Sequence, residues 1–160
     1  MSENPTKLYQ GVRFARSLPL VTAAAIREAE EQLGVSFPDD YRAFLEAVNG
    51  GVPAPSEFAM AVPGQRACLD FLYGVGTPRG QRDLRFQQKR IVERTDSLPT
   101  GFVAIGFDPG AAPYFVGTAG TTAGAIYFFD PDGFLDPGRS PKLYTAAASF
   151  SDLLARLAAG

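Results

Sequence analysis

From Val21 to Gly51 the chain reads VTAAAIREAEEQLGVSFPDDYRAFLEAVNGG, and its apolar positions recur at helical spacing in two runs separated by a corner. Ile26, Ala29 and Leu33 form the first run. Thr22 opens it with a hydroxyl that can cap a helix, and Gly34 closes it with a backbone free to turn left-handed. Tyr41, Phe44, Leu45 and Val48, at i, i+3, i+4 and i+7, form the second run. Pro38 stands at a first-turn position, where a missing N–H costs nothing, and Asp39 and Asp40 follow near the positive end of the helix dipole. Asn49-Gly50-Gly51 ends the run, so the pattern predicts two helices here, with strands packed beneath them.

Downstream the period shortens to two. Cys68 to Tyr73 alternates and predicts a partly buried strand; Phe102 to Phe107, Pro113 to Thr118 and Ala125 to Phe129 predict three more, joined by an Asp108-Pro109-Gly110 turn and a glycine-rich tip at 117–124. Asp130-Pro131-Asp132-Gly133 is a turn, and a further strand is expected near Leu143-Tyr144. Two more helices are expected. One runs over Asp83 to Glu93 with Leu84, Gln87 or Gln88, and Ile91 inward; the other is capped by Ser149 with Asp152 three residues on, and turns Phe150, Leu153, Leu154 and Leu157 to the core. The proline-rich stretch 52–65 predicts a surface excursion, and residues 1–17 an N-terminal arm, loose or added as an edge strand, ahead of a domain at 18–160. The fold class is α+β: a single domain with helices on one side of a mostly antiparallel sheet.

The segments carrying this pattern, Leu33-Gly34, Phe37-Pro38, Tyr41, Phe44-Leu45 and Asn49-Gly50-Gly51, resemble the signature of the SUKH superfamily. Further pieces match in order: Phe71-Leu72-Tyr73-Gly74, Ile105 to Gly110, Gly124 to Phe128, and Phe150 with Leu153 and Leu154. The resemblance covers about Leu18 to Leu157. One departure is that many relatives carry Trp in the late aromatic strand, where this chain has Phe128 and Phe129 and no Trp anywhere. The superfamily includes fungal cell-wall-assembly regulators and bacterial immunity proteins, so the resemblance implies a non-enzymatic protein that binds a protein partner. The first expectation is an immunity protein that covers a toxin domain; the second is a regulatory interaction module.

Composition narrows the chemistry. The 160 residues, 46% hydrophobic, suit one domain, and 13 Pro with 17 Gly indicate many turns. Histidine is absent, which removes Ser-His-Asp and Cys-His nucleophiles and His-based zinc sites; one cysteine, Cys68, removes thiolate metal sites and internal disulfides. Gly74-Val75-Gly76 is only the start of a dinucleotide fingerprint, and no phosphate loop follows any strand. No catalytic residue, cofactor or metal is therefore expected. No apolar run reaches the length of a membrane span, the N-terminus lacks the apolar core of a secretory signal, and a cytoplasmic location is expected.

Net charge is −2 and pI about 5.1, which weighs against nucleic acid as a partner. The charge is segregated. Val21 to Gly51 has six acidic residues against Arg27 and Arg42, with Glu28, Glu30 and Glu31 expected on a solvated helix face. Residues 79–94 are basic, and 95–137 contains five Asp and no Lys or Arg. The expected partner-binding residues are Asp108, Tyr127, Asp130 and Asp132, an acidic rim around an aromatic anchor that would complement the basic groove of a nuclease toxin. The chain is expected as a monomer or weak dimer.

Overall fold

The computed structural model describes residues 6–76, 80–94, 100–130 and 142–160. The chain opens with a hairpin, β1 (Lys7–Tyr9) and β2 (Val12–Ala15), then forms α1 (Ala23–Leu33) and α2 (Asp39–Ala47). Four short strands follow, β3 (Val52–Ala54), β4 (Glu57–Ala59), β5 (Arg66–Cys68) and β6 (Phe71–Leu72), then α3 (Leu84–Arg94). β7 (Phe102–Phe107), β8 (Pro113–Gly117), β9 (Ile126–Asp130) and β10 (Lys142–Ala147) complete the sheet, and α4 (Phe150–Ala159) closes the fold.

The helix punctuation acts as its residue types dictate. Thr22 Oγ1 accepts the Ala25 N–H at 3.1 Å, Gly34 takes the left-handed conformation at φ 70°, and Ser149 Oγ accepts the Asp152 N–H at 2.9 Å. Pro38 lies one position earlier than expected, flanking α2 rather than opening it. The α2 stripe is buried throughout, and the Phe44 ring meets Phe14 at 5.1 Å and Phe150 at 4.8 Å. Phe44 thereby joins the N-terminal hairpin to the last helix. Gln10 and Gly11, both at positive φ, make the tight turn of that hairpin, and Val12 and Phe14 are wholly buried.

All strand ladders are antiparallel: β1-β2-β3, β4-β5, and β10-β9-β8-β7-β6. The first and last of these sheets meet at a seam, where Gly51 and Leu72 exchange two backbone hydrogen bonds of 2.9 Å. Only glycine fits there, because a Cβ on Gly51 would lie 2.6 Å from the Ala15 carbonyl oxygen. The neighbouring Asn49 is fully buried at φ 68°. Its amide N–H groups donate to the Pro19 and Val75 carbonyls and its Oδ1 accepts the Val75 N–H, each at 2.8 Å. A Cβ on Gly74 would strike that same asparagine at 2.6 Å. The two glycine-containing segments, far apart in sequence, are one interlocked joint.

Two expectations change. The stretch 52–65 is not a surface excursion: it contains β3 and β4, and buries Phe58 and Met60. The single strand expected over Cys68 to Tyr73 is two. Leu69 donates its N–H to Ser56 and Asp70 donates to Phe107, so the chain leaves one sheet and joins another between Cys68 and Phe71. α2 packs against both α1 and α4 through buried apolar faces, while α3 runs beside β7. Along β7, β6 reaches only the last residues, so the start of β7 is paired with β8 on one edge and, among the described residues, has no strand on the other. Gln88 fills that gap: its side-chain amide donates to Phe102 O at 2.9 Å and accepts the Ala104 N–H at 2.7 Å.

Candidate functional site

α1, the α1–α2 corner, α3 and the start of β7 surround an open cleft of about 1090 Å3. One wall carries Arg27, Glu31 and the Glu30–Arg42 pair, the other Gln88 and Val92, and Phe102 and Leu33 supply apolar surface between them. The spacing of the two helices is fixed at one end by Arg85. Its guanidinium bonds the buried carboxylate of Asp83 at 2.8 Å and the Gly76 carbonyl at 3.0 Å, and donates across to Gln32 of α1 at 2.6 Å.

The Glu30–Arg42 pair is a clasp. Arg42 Nε and Nη2 donate to the two oxygens of Glu30 at 3.1 and 2.9 Å, Nη2 also reaches Phe37 O at 3.0 Å, and Nη1 pairs with Asp39 at 2.9 Å. Glu30 accepts the Phe37 N–H at 2.7 Å as well, so one carboxylate holds the corner between α1 and α2. Glu30 is 6% exposed and does not belong to a solvated face. The signal was present in its spacing: Glu30 follows the buried Ile26 by four residues, so it flanks the inward stripe of α1.

Burial by itself raises the Glu30 pKa, but the hydrogen bonds and charge of Arg42, with the Phe37 N–H, outweigh it and hold the carboxyl below its ordinary value. A lowered folded-state pKa contributes stability above the unfolded value and loses it as pH falls through the folded one. Glu30→Gln should therefore cost about 2 to 3 kcal/mol at pH 7, at the low side for a buried pair because Arg42 is partly solvated. The variant should lose less stability than the parent between about pH 5 and pH 2. Urea unfolding of both proteins across that range checks it; equal acid sensitivity would mean the clasp is not what acid breaks.

Of the four expected partner-binding residues, Asp108, Tyr127 and Asp130 lie among the described residues, and these three do not share one face of the sheet. Asp108 follows β7 and Asp130 ends β9, so both stand at the same end of the sheet, the end away from the cleft, with β8 between them. Asp108 is half-buried and its Oδ1 accepts the Ala112 N–H at 2.7 Å, shaping its own turn. Asp130 is 2% exposed and presents no open rim. Tyr127 lies an odd number of residues from Asp130 and so projects from the opposite face of β9. Its ring meets Phe102 edge-on at 5.1 Å, which places it behind the cleft surface. Asp132 lies outside the described residues. Arg42, Gln88 and Val92, which line the cleft, were not expected from the sequence as partner-binding residues.

Among the described residues no group of His, Cys, Asp or Glu is placed to hold a metal ion, and no helix is long and apolar enough to cross a membrane. An α+β domain whose antiparallel sheet is covered by helices, with an open cleft between two of them, defines the class. The chain belongs to the SMI1 / KNR4 family (SUKH-1), whose model matches residues 20–156. No curated protein and no solved structure matches it.

Proposed function

We propose that this protein is a non-enzymatic immunity protein that binds a toxin domain and neutralises it by covering its active surface, with the α1–α3 cleft as the receiving site. The cleft carries this reading: at about 1090 Å3 it exceeds the size of most small-molecule pockets, is walled by charges of both signs, and exposes Val92 as an apolar contact. Such a mixed rim around an apolar centre suits a protein surface, where charge sets approach and buried apolar groups supply affinity. A toxin that grips nucleic acid would bring a basic groove, and Glu28 and Glu31 on the exposed side of α1 offer it complementary charge. The end of the sheet bearing Asp108 is the competing surface. The second reading is a regulatory protein–protein interaction module, favoured by the family description itself, which is that of SMI1 / KNR4.

The test is co-expression with the product of any adjacent toxin gene, followed by association kinetics. Val92→Asp should slow growth protection and raise the dissociation rate at least tenfold, whereas Asp108→Lys should leave both near the parent values. Loss in Asp108→Lys alone would move the contact to the far end of the sheet. Failure to bind any neighbouring gene product would favour the regulatory module.

A further inference from the structure

α1 and α3 lie side by side and run in opposite directions. Gln32, near the end of α1, accepts a hydrogen bond from Arg85 at the start of α3, whereas Ala23 and Arg27 line the cleft with Gln88 and Val92. Counting back from the Gln32–Arg85 contact one turn at a time, Glu28 stands level with Lys89 and Ala24 with Glu93, with Arg27 close by. Arg27, Glu28, Lys89, Val92 and Glu93 are all exposed, and among the described residues none of these charged side chains forms an ion pair.

This order of signs is self-complementary. A two-fold axis parallel to the helix pair and lying in the plane of their outer face carries α1 of one copy over α3 of the other without shifting it along the axis. Glu28 then meets Lys89, Arg27 approaches Glu93 past the level of Arg90, whose guanidinium is turned back over the Phe86 ring, and Val92, 54% exposed, is covered toward the C-terminal end of α3. An isologous contact requires one patch to complement itself in this way. We propose that the α1–α3 face docks a second copy of this chain.

The contact goes beyond the toxin-binding reading and does not rest on it. Two helices of 11 residues side by side offer a face of roughly 16 by 20 Å, about 300 Å2 per copy, well under the roughly 800 Å2 per partner of a stable complex. The dimer is accordingly weak, driven by charge and sensitive to salt. It also covers the mouth of the cleft, so self-association and occupation of the cleft exclude one another.

Sedimentation equilibrium of the full chain tests this. At roughly 1 mM protein and low ionic strength the weight-average mass should rise above that of the monomer, and about 0.5 M salt should return it to the monomer value. Lys89→Glu should abolish the association, and adding Glu28→Lys to that variant should restore it by exchanging the signs of the pair. Circular dichroism confirms that these surface variants fold. A monomer at every concentration in low salt, a dimer indifferent to Lys89→Glu, or a double variant no better than the single one would each overturn the proposal.

Discussion

Asn49→Ala is expected to lower the stability of the domain by about 3 to 5 kcal/mol, a large share of what a single domain possesses. The substitution removes three hydrogen bonds at once and leaves the Val75 N–H, the Val75 carbonyl and the Pro19 carbonyl with no side-chain partner. Asn49 itself is fully buried, and each buried orphan costs about 1 to 3 kcal/mol. Alanine is also strained at the positive φ that Asn49 adopts. Because this joint sits at the end of α2, beside the Gly51–Leu72 seam, damage should spread to both sheets rather than stay local. Urea unfolding followed by far-ultraviolet circular dichroism measures it. A loss under about 1 kcal/mol would show that water satisfies the abandoned groups, and that the asparagine is a convenience of the joint instead of its pin.

Phe44→Ala should cost a similar amount, about 3 to 5 kcal/mol, by a different mechanism. The ring is fully buried and touches aromatic partners from four other places in the chain or helix: Tyr9, Phe14, Tyr41 and Phe150. Its removal opens a cavity where the hairpin, α2 and α4 converge, and none of these can close it alone without breaking a ladder or a helix contact. Thermal and urea unfolding report the loss. Phe44→Leu should retain most of the stability, since it keeps apolar volume at the site, so a severe defect in both variants would point to the aromatic contacts themselves.

Helices and their ends were legible because their signals are local. Ile26, Ala29, Tyr41, Phe44 and Leu45 recur at 3.6-residue spacing, and the Thr22, Gly34 and Ser149 caps act within three or four residues of themselves. The β7–β8–β9 meander was legible for the same reason, its alternation being interrupted by turn residues. The short strands β3 and β4 were not, nor was the break that divides the alternating run Cys68 to Tyr73 between β5 and β6. Two or three residues give too little alternation to detect, and their pairing partners, such as Val52 with Ala15 or Leu72 with Gly106, lie tens of residues away. Burial of charge was illegible in the same way. Glu30 and Asp130 have the composition of surface residues, and only contacts brought in from other elements make Glu30 a clasp.

The sequence by itself determined the α+β class, the four helices with the Thr22, Gly34 and Ser149 caps, the family to which the chain belongs, and the absence of histidine chemistry. Each of these depends on residue identity and short spacing, which the chain carries whether folded or not. Only the tertiary structure decided that Asn49, Gly51 and Gly74 form one joint, that Gln88 completes the open edge of β7, and that a cleft opens between α1 and α3. These features are relations between segments from 14 to 53 residues apart, set by close packing and by the need to pair every buried polar group. No local pattern encodes where two such segments will meet.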